Sequence, residues 1–129
     1  MHVHQADFYS APNRIFSTPV DGSAPSVELN LPRAISDIAG TVEKIMISPD
    51  SSRVVFSERS GFYPDIHITL RSVPIDGSAV AVSLSSTLPF GLLHFAVSPN
   101  SDRVVFGLDA SVDGTGEIYS VPLDGSAAP

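Results

Sequence analysis

The chain predicts an all-β fold of repeated four-stranded units, and three observations carry that prediction. One phrase occurs three times, as Ser17-Thr18-Pro19-Val20-Asp21-Gly22-Ser23-Ala24, Ser72-Val73-Pro74-Ile75-Asp76-Gly77-Ser78-Ala79 and Ser120-Val121-Pro122-Leu123-Asp124-Gly125-Ser126-Ala127. A second occurs twice, as Ile47-Ser48-Pro49-Asp50-Ser51-Ser52-Arg53-Val54-Val55-Phe56 and Val97-Ser98-Pro99-Asn100-Ser101-Asp102-Arg103-Val104-Val105-Phe106, which sets Pro49 and Pro99 fifty residues apart. Eleven prolines and nine glycines interrupt apolar runs that are too short for ordinary helices. A period near fifty residues is the length of one propeller blade, a unit that must stack on neighbours to bury a core. The expected architecture is a partial β-propeller of about two and a half blades, divided at 1–31, 32–85 and 86–129 within a single domain.

The middle unit reads as four strands. Residues 42–48, strand A, alternate Ile45 and Ile47 with Lys44 and Met46. Ser48-Pro49-Asp50-Ser51 places proline where a type I turn favours it, with small polar side chains able to bond their own backbone. Strand B, 53–57, has Val54, Val55 and Phe56 in succession, which predicts burial on both faces of an interior strand. Strand C, 66–73, sets Ile66, Ile68 and Leu70 against His67, Thr69 and Arg71 with a period of two. Asp76-Gly77 predicts a two-residue type I′ hairpin with positive φ at both positions. Strand D, 80–84, follows with Val80, Val82 and Leu84 on one side.

The same grammar recovers partial units on both sides. Before the middle unit come a C strand near 14–20, the Asp21-Gly22 turn and a D strand with Val27, Leu29 and Leu31, and Phe8 and Tyr9 suit a B strand. After it come strands at 92–98, 103–107 and 117–122 and the Asp124-Gly125 turn, one strand short of a full blade. Only 32–41, with Ala34, Ile35, Ile38 and Ala39, is compatible with a helical turn.

Composition excludes several functional classes. Fourteen acidic against seven basic residues give a net charge of −7, and the few cations are scattered singly, so a phosphate backbone is repelled and nucleic acid is not expected as a partner. The absence of cysteine removes disulfides, thiolate metal sites and thiol nucleophiles. No run approaches the eighteen or so apolar residues of a membrane span. The first residues carry neither a basic start nor an apolar core, so the chain is expected to be cytoplasmic unless a leader precedes it.

Ser-Pro-Asp/Asn-x-x-Arg-Val-Val-Phe at 48–56 and 98–106, followed by Ile118-Tyr119-Ser120-Val121-Pro122-Leu123-Asp124-Gly125, resembles the repeat of TolB-type β-propellers. That superfamily includes the propeller domains of prolyl oligopeptidase-like peptidases, and the resemblance runs from about 14 to 127. It implies the propeller fold. Function has to come from a site, because propellers host unrelated activities. No Gly-x-Ser-x-Gly nucleophile elbow is present, so the expectation is a non-enzymatic protein-interaction module. The alternative is an accessory propeller piece of such a hydrolase, or a propeller that binds a small ligand or Ca²⁺.

Two candidate sites stand out. Asp109, Ser111, Asp113 and Glu117, with Gly114 after the third, follow the first half of a calcium loop, although Ser120 stands where the bidentate glutamate belongs. An acidic, glycine-rich surface loop explains the same residues. Phe62 and Tyr63, at the tip of the B to C loop of the middle unit, form a candidate contact patch, against which stands folding back onto the blade's own edge. His2, His4, His67 and His94 lack the neighbours a metal site or proton relay needs. Arg53 and Arg103, at equivalent repeat positions, are expected to cover the sheet with their aliphatic stems. Two and a half blades leave terminal sheet faces uncovered. A homo-oligomer is therefore expected, most simply a dimer, with Phe56, Phe106, Val80 and Val82 contributing to its buried layers.

Overall fold

Alternating strands and tight turns build three antiparallel sheets. The computed structural model describes residues 2–6, 14–30, 41–61, 65–85, 88–89, 92–109 and 116–128, and no helix occurs among them. The first sheet joins β1 (His2–Ala6), β2 (Arg14–Thr18) and β3 (Val27–Glu28) in that order. The second runs β4 (Thr41–Ile47), β5 (Arg53–Ser60), β6 (His67–Pro74) and β7 (Val82–Ser83), and β8 (Leu88–Pro89) also pairs with β6. The third joins β9 (Leu92–Val97), β10 (Arg103–Asp109) and β11 (Gly116–Pro122).

The partner of β2 in the first unit is β1, upstream of the Phe8 and Tyr9 expected there. Those two residues, Leu31 and the ambiguous stretch 32–40 lie outside the described residues. The outer strands β3 and β7 hold only two residues each, shorter than the 80–84 expected for strand D. The side chains explain this. Asn30 Oδ1 accepts from the Ile15 amide at 2.8 Å, and Ser85 Oγ accepts from the Leu70 amide at 3.1 Å, where a further ladder bond would otherwise form.

The middle sheet is covered on both faces. Val54, Phe56, Val73, Ile75 and Ala81 pack with Ile15 and Leu29 of the first unit. Val55, Leu70 and Leu84 pack with Phe95, Val104, Phe106, Val121 and Leu123 of the third. The expected two-sided burial of strand B follows, because Val54, Val55 and Phe56 are all fully buried. Each such side chain contributes roughly 1.5–3 kcal/mol. Phe56 and Phe106 are thus consumed within the chain rather than between chains, and Val80 is exposed.

The turns correct one expectation. At Asp21-Gly22, Asp76-Gly77 and Asp124-Gly125 only the glycine has positive φ, at 70°, 70° and 72°. The glycine amide bonds the carbonyl of the proline three residues earlier, as in Gly77 N to Pro74 O at 3.0 Å. These are type I turns followed by a left-handed glycine, not type I′ hairpins. Each aspartate accepts from the serine two residues on, at 3.0 Å for Ser23, 2.9 Å for Ser78 and 2.9 Å for Ser126, which accounts for the recurring Asp-Gly-Ser.

In the other repeated turn, the Ser51 and Ser101 amides bond Ser48 and Ser98 carbonyls at 2.8 and 2.9 Å. Both Ser51 and Ser101 take φ of 60°. Ser48 and Ser52 hydroxyls donate to Asp50 Oδ1 at 2.7 Å each, and these bonds hold its carboxyl down at about 2. The arginines also do more than cover the sheet. Arg53 Nε donates to Ser72 Oγ at 2.7 Å and Arg103 Nε to Ser120 Oγ at 2.6 Å, so the repeated Arg and the repeated Ser form one cross-strand pair. The equivalent Ser17 Oγ is buried and has no partner among the described residues.

Candidate functional site

Aligning the units by strand register places Val55 with Val105, Leu70 with Ile118, Ser72 with Ser120 and Ile75 with Leu123, because Val55 pairs with Ser72 as Val105 does with Ser120. Equivalent positions meet very different surroundings. Leu70 is fully buried against the third sheet, whereas Ile118 is 80% exposed. Val55 is fully buried, and Val105 is 41% exposed. Met46 packs into the core between the second and third sheets, while its counterpart Ala96 is exposed. The outer face of the third sheet therefore carries the apolar residues that the second sheet uses to hold a neighbour.

A shallow hollow of about 450 Å³ lies on this face, lined by His94, Ala96, Val105, Gly107, Glu117 and Ile118 among others. Its lining is almost entirely apolar. Small residues deepen it: Gly107 stands where the middle unit has Ser57, and Gly116 where it has Ile68.

The first unit shows the reciprocal half. Val20 is 78% exposed, although its counterparts Ile75 and Leu123 are buried against the preceding unit. The glycines that follow tell the same story. A Cβ on Gly77 would lie 3.1 Å from Val27 Cγ2 and one on Gly125 would lie 3.0 Å from Val82 Cγ2, whereas one on Gly22 would meet nothing within 4 Å. Each turn sits on the outer strand of the unit before it, and the first turn has no such seat among the described residues.

Of the residues singled out from sequence, Asp109 ends β10 and Glu117 lies near the start of β11, one pair away from each other across the ladder. Asp113, Ser111, Phe62 and Tyr63 lie outside the described residues. Glu117 Oε2 accepts from the Tyr119 hydroxyl, which raises the phenol above its ordinary value. No cluster of three or more His, Asp or Glu suited to a metal occurs among the described residues. His94 lies on the open face, whereas the Nδ1 of His67 is buried without a partner among the described residues. Among the described residues, no helix is long and apolar enough to cross a membrane.

The exposed Ile118, Val105 and Val20 are not distinguishable in sequence from their buried counterparts, since the repeat carries apolar residues at all of them. Only position within the array separates them. The chain matches no family model, no curated protein and no solved structure.

Proposed function

We propose that the chain is a non-enzymatic, TolB-like propeller segment that works as a protein-interaction module, and that its open end face is the contact surface. One observation carries the reading: Leu70 and Ile118 occupy the same repeat position, one fully buried beneath a neighbouring sheet and the other exposed. Exposed apolar residues in one contiguous patch mark interaction surfaces. The patch has the composition of the sheet-to-sheet interface that occurs twice within the chain.

The two open ends are complementary halves of that interface. A second copy, bringing its Val20 turn to the Val105 and Ile118 face, reproduces the contact that Leu123 makes with Val55 and Leu70. Such a heterologous contact closes into a ring when the rotation permits. Two copies of three sheets supply six blades, within the usual range of four to eight.

Light scattering tests this. The chain is expected at twice its 13.6 kDa mass, and Ile118→Glu and Val20→Glu are each expected to return it to one. A wild-type chain that remains monomeric at submillimolar concentration overturns the self-association, as does a dimer untouched by both substitutions.

A further inference from the structure

The β11 edge carries a more specific message than the face beside it. In the first and second units the C strand is completed in the same way. The Leu29 amide donates to Ile15 O at 2.8 Å and the Leu84 amide to Leu70 O at 2.8 Å. The following side chain, Asn30 or Ser85, accepts from the Ile15 or Leu70 amide. Two residues earlier, Val27 pairs with Ser17 and Val82 with Ser72. The outer strand is thus a short extended motif, Val-x-Leu-(Asn/Ser), in which Val and Leu project on the face that receives the next unit and the last residue caps the ladder.

In the third unit the equivalents of Leu70 and Ser72 are Ile118 and Ser120, and no outer strand pairs with β11 among the described residues. By the two-residue alternation of an antiparallel ladder, the backbone groups of Ile118 and Ser120 point to this edge. One is held in an improvised way. Arg103, besides its bond to Ser120 Oγ, donates from Nη2 to Ser120 O at 3.1 Å, whereas its counterpart Arg53 reaches Ser72 through Oγ.

We infer that the β11 edge is a binding site for an extended peptide segment of pattern Val-x-Leu-(Asn/Ser), taken up by strand addition. Main-chain bonds to Ile118 and Ser120 supply the affinity, and the pockets for alternate side chains supply the selectivity. The terminal Asn or Ser places its oxygen on the Ile118 amide. The leucine lies across from Ile118 as Leu84 does from Leu70, and the valine takes the place opposite Ser120, where it also offers the seat that the Gly22 turn lacks. The inference rests on reading the chain as stacked blades that contact other chains, and it names the chemistry of a partner for that end of the array.

The test uses the whole chain and a synthetic peptide copying residues 80–86, with a Leu84→Asp version as control. Amide hydrogen exchange is followed by NMR at millimolar peptide. At nine-tenths occupancy the Ile118 and Ser120 amides are expected to slow by about tenfold, with no slowing by the control peptide. The same measurement on Val20→Glu separates this site from self-association, since that substitution leaves β11 intact. Equal protection in Val20→Glu supports edge binding even where the chain proves monomeric. Unchanged exchange at both amides, saturable binding without their protection, or protection lost in Val20→Glu would each overturn the proposal.

Discussion

Replacing the three turn glycines by alanine one at a time turns the stacking of the sheets into a measurement. All three have φ near 70°, so each alanine pays the same left-handed backbone cost of about 1–2 kcal/mol, lowered by roughly 0.5–1 kcal/mol through the reduced freedom of the unfolded chain. Gly22→Ala meets nothing else within 4 Å and is expected to cost about 1 kcal/mol. At Gly77 and Gly125 the new methyl would sit 3.1 and 3.0 Å from a valine methyl of the preceding unit. Carbon pairs prefer roughly 3.5–4.0 Å, and forcing an extra methyl into a packed contact adds about 1–3 kcal/mol. These two variants should therefore lose about 2–4 kcal/mol in all. Urea unfolding followed by circular dichroism reads the difference as a shift in midpoint at constant slope. Trimming the obstructing side chain in a Val27→Ala, Gly77→Ala pair should recover the steric part and leave the backbone part, a coupling of about 1–2 kcal/mol. Equal losses at all three positions, with no coupling to Val27, would refute the seating of each turn on the unit before it.

Ser51→Gly should stabilise by up to about 1 kcal/mol, since serine occupies a left-handed conformation there, whereas Ser101→Gly also removes the Oγ that accepts from the Asp50 amide at 3.0 Å and should gain less; an unchanged or lower urea midpoint for Ser51→Gly contradicts this. Asp50 has its carboxyl lowered from 3.8 to about 2 by the Ser48 and Ser52 hydroxyls, so its contribution is complete above about pH 4 and is lost as the pH falls through 2. Asp50→Asn should consequently show a shallower fall in stability between pH 4 and 2 than the wild type in acid titrations with urea. The loop carrying Asp109, Asp113 and Glu117 should bind calcium no more tightly than about millimolar, because the last carboxylate of a full calcium loop is replaced by Ser120. Calorimetry of the wild type beside Asp113→Ala checks this, and a micromolar site would disprove it.

The β character, the positions of most strands and the two-sided burial of Val54, Val55 and Phe56 were legible because period-two patterning and proline-glycine punctuation are local signals. The turn type was not. Asp-Gly suits both a type I′ hairpin and a type I turn closed by a left-handed glycine, and the second prevails because the proline carbonyl three residues back receives the glycine amide. The brevity of β3 and β7 was equally hidden, since it depends on Asn30 and Ser85 turning inward to bond another strand. The open face could not be read at all from Ile118 or Val105 as residues, as their counterparts Leu70 and Val55 are core. Arg53 and Arg103 were seen as equivalent, but their partners sit 19 and 17 residues away and emerge only from the ladder.

Near-identical hairpins in one chain invite exchange, for β5 and β10 share Arg-Val-Val-Phe and each could zip against the other's C strand while folding. The Arg–Ser pair would survive such a swap and offers no discrimination. The layer beside it differs. Arg71 lies 5.6 Å from the Phe56 ring and bonds Glu58 at 3.2 Å, both partners mostly shielded from water. Phe106 instead stacks on Tyr119 with ring centroids 5.6 Å apart. A hybrid sheet would set Glu58 opposite Glu117 in one case and Arg71 beside Phe106 and Leu108 in the other, leaving like charges facing or a guanidinium without its carboxylate. Swapped pairings are thereby disfavoured, and each B strand is matched to its own C strand by one salt bridge in the middle unit and one pair of rings in the third.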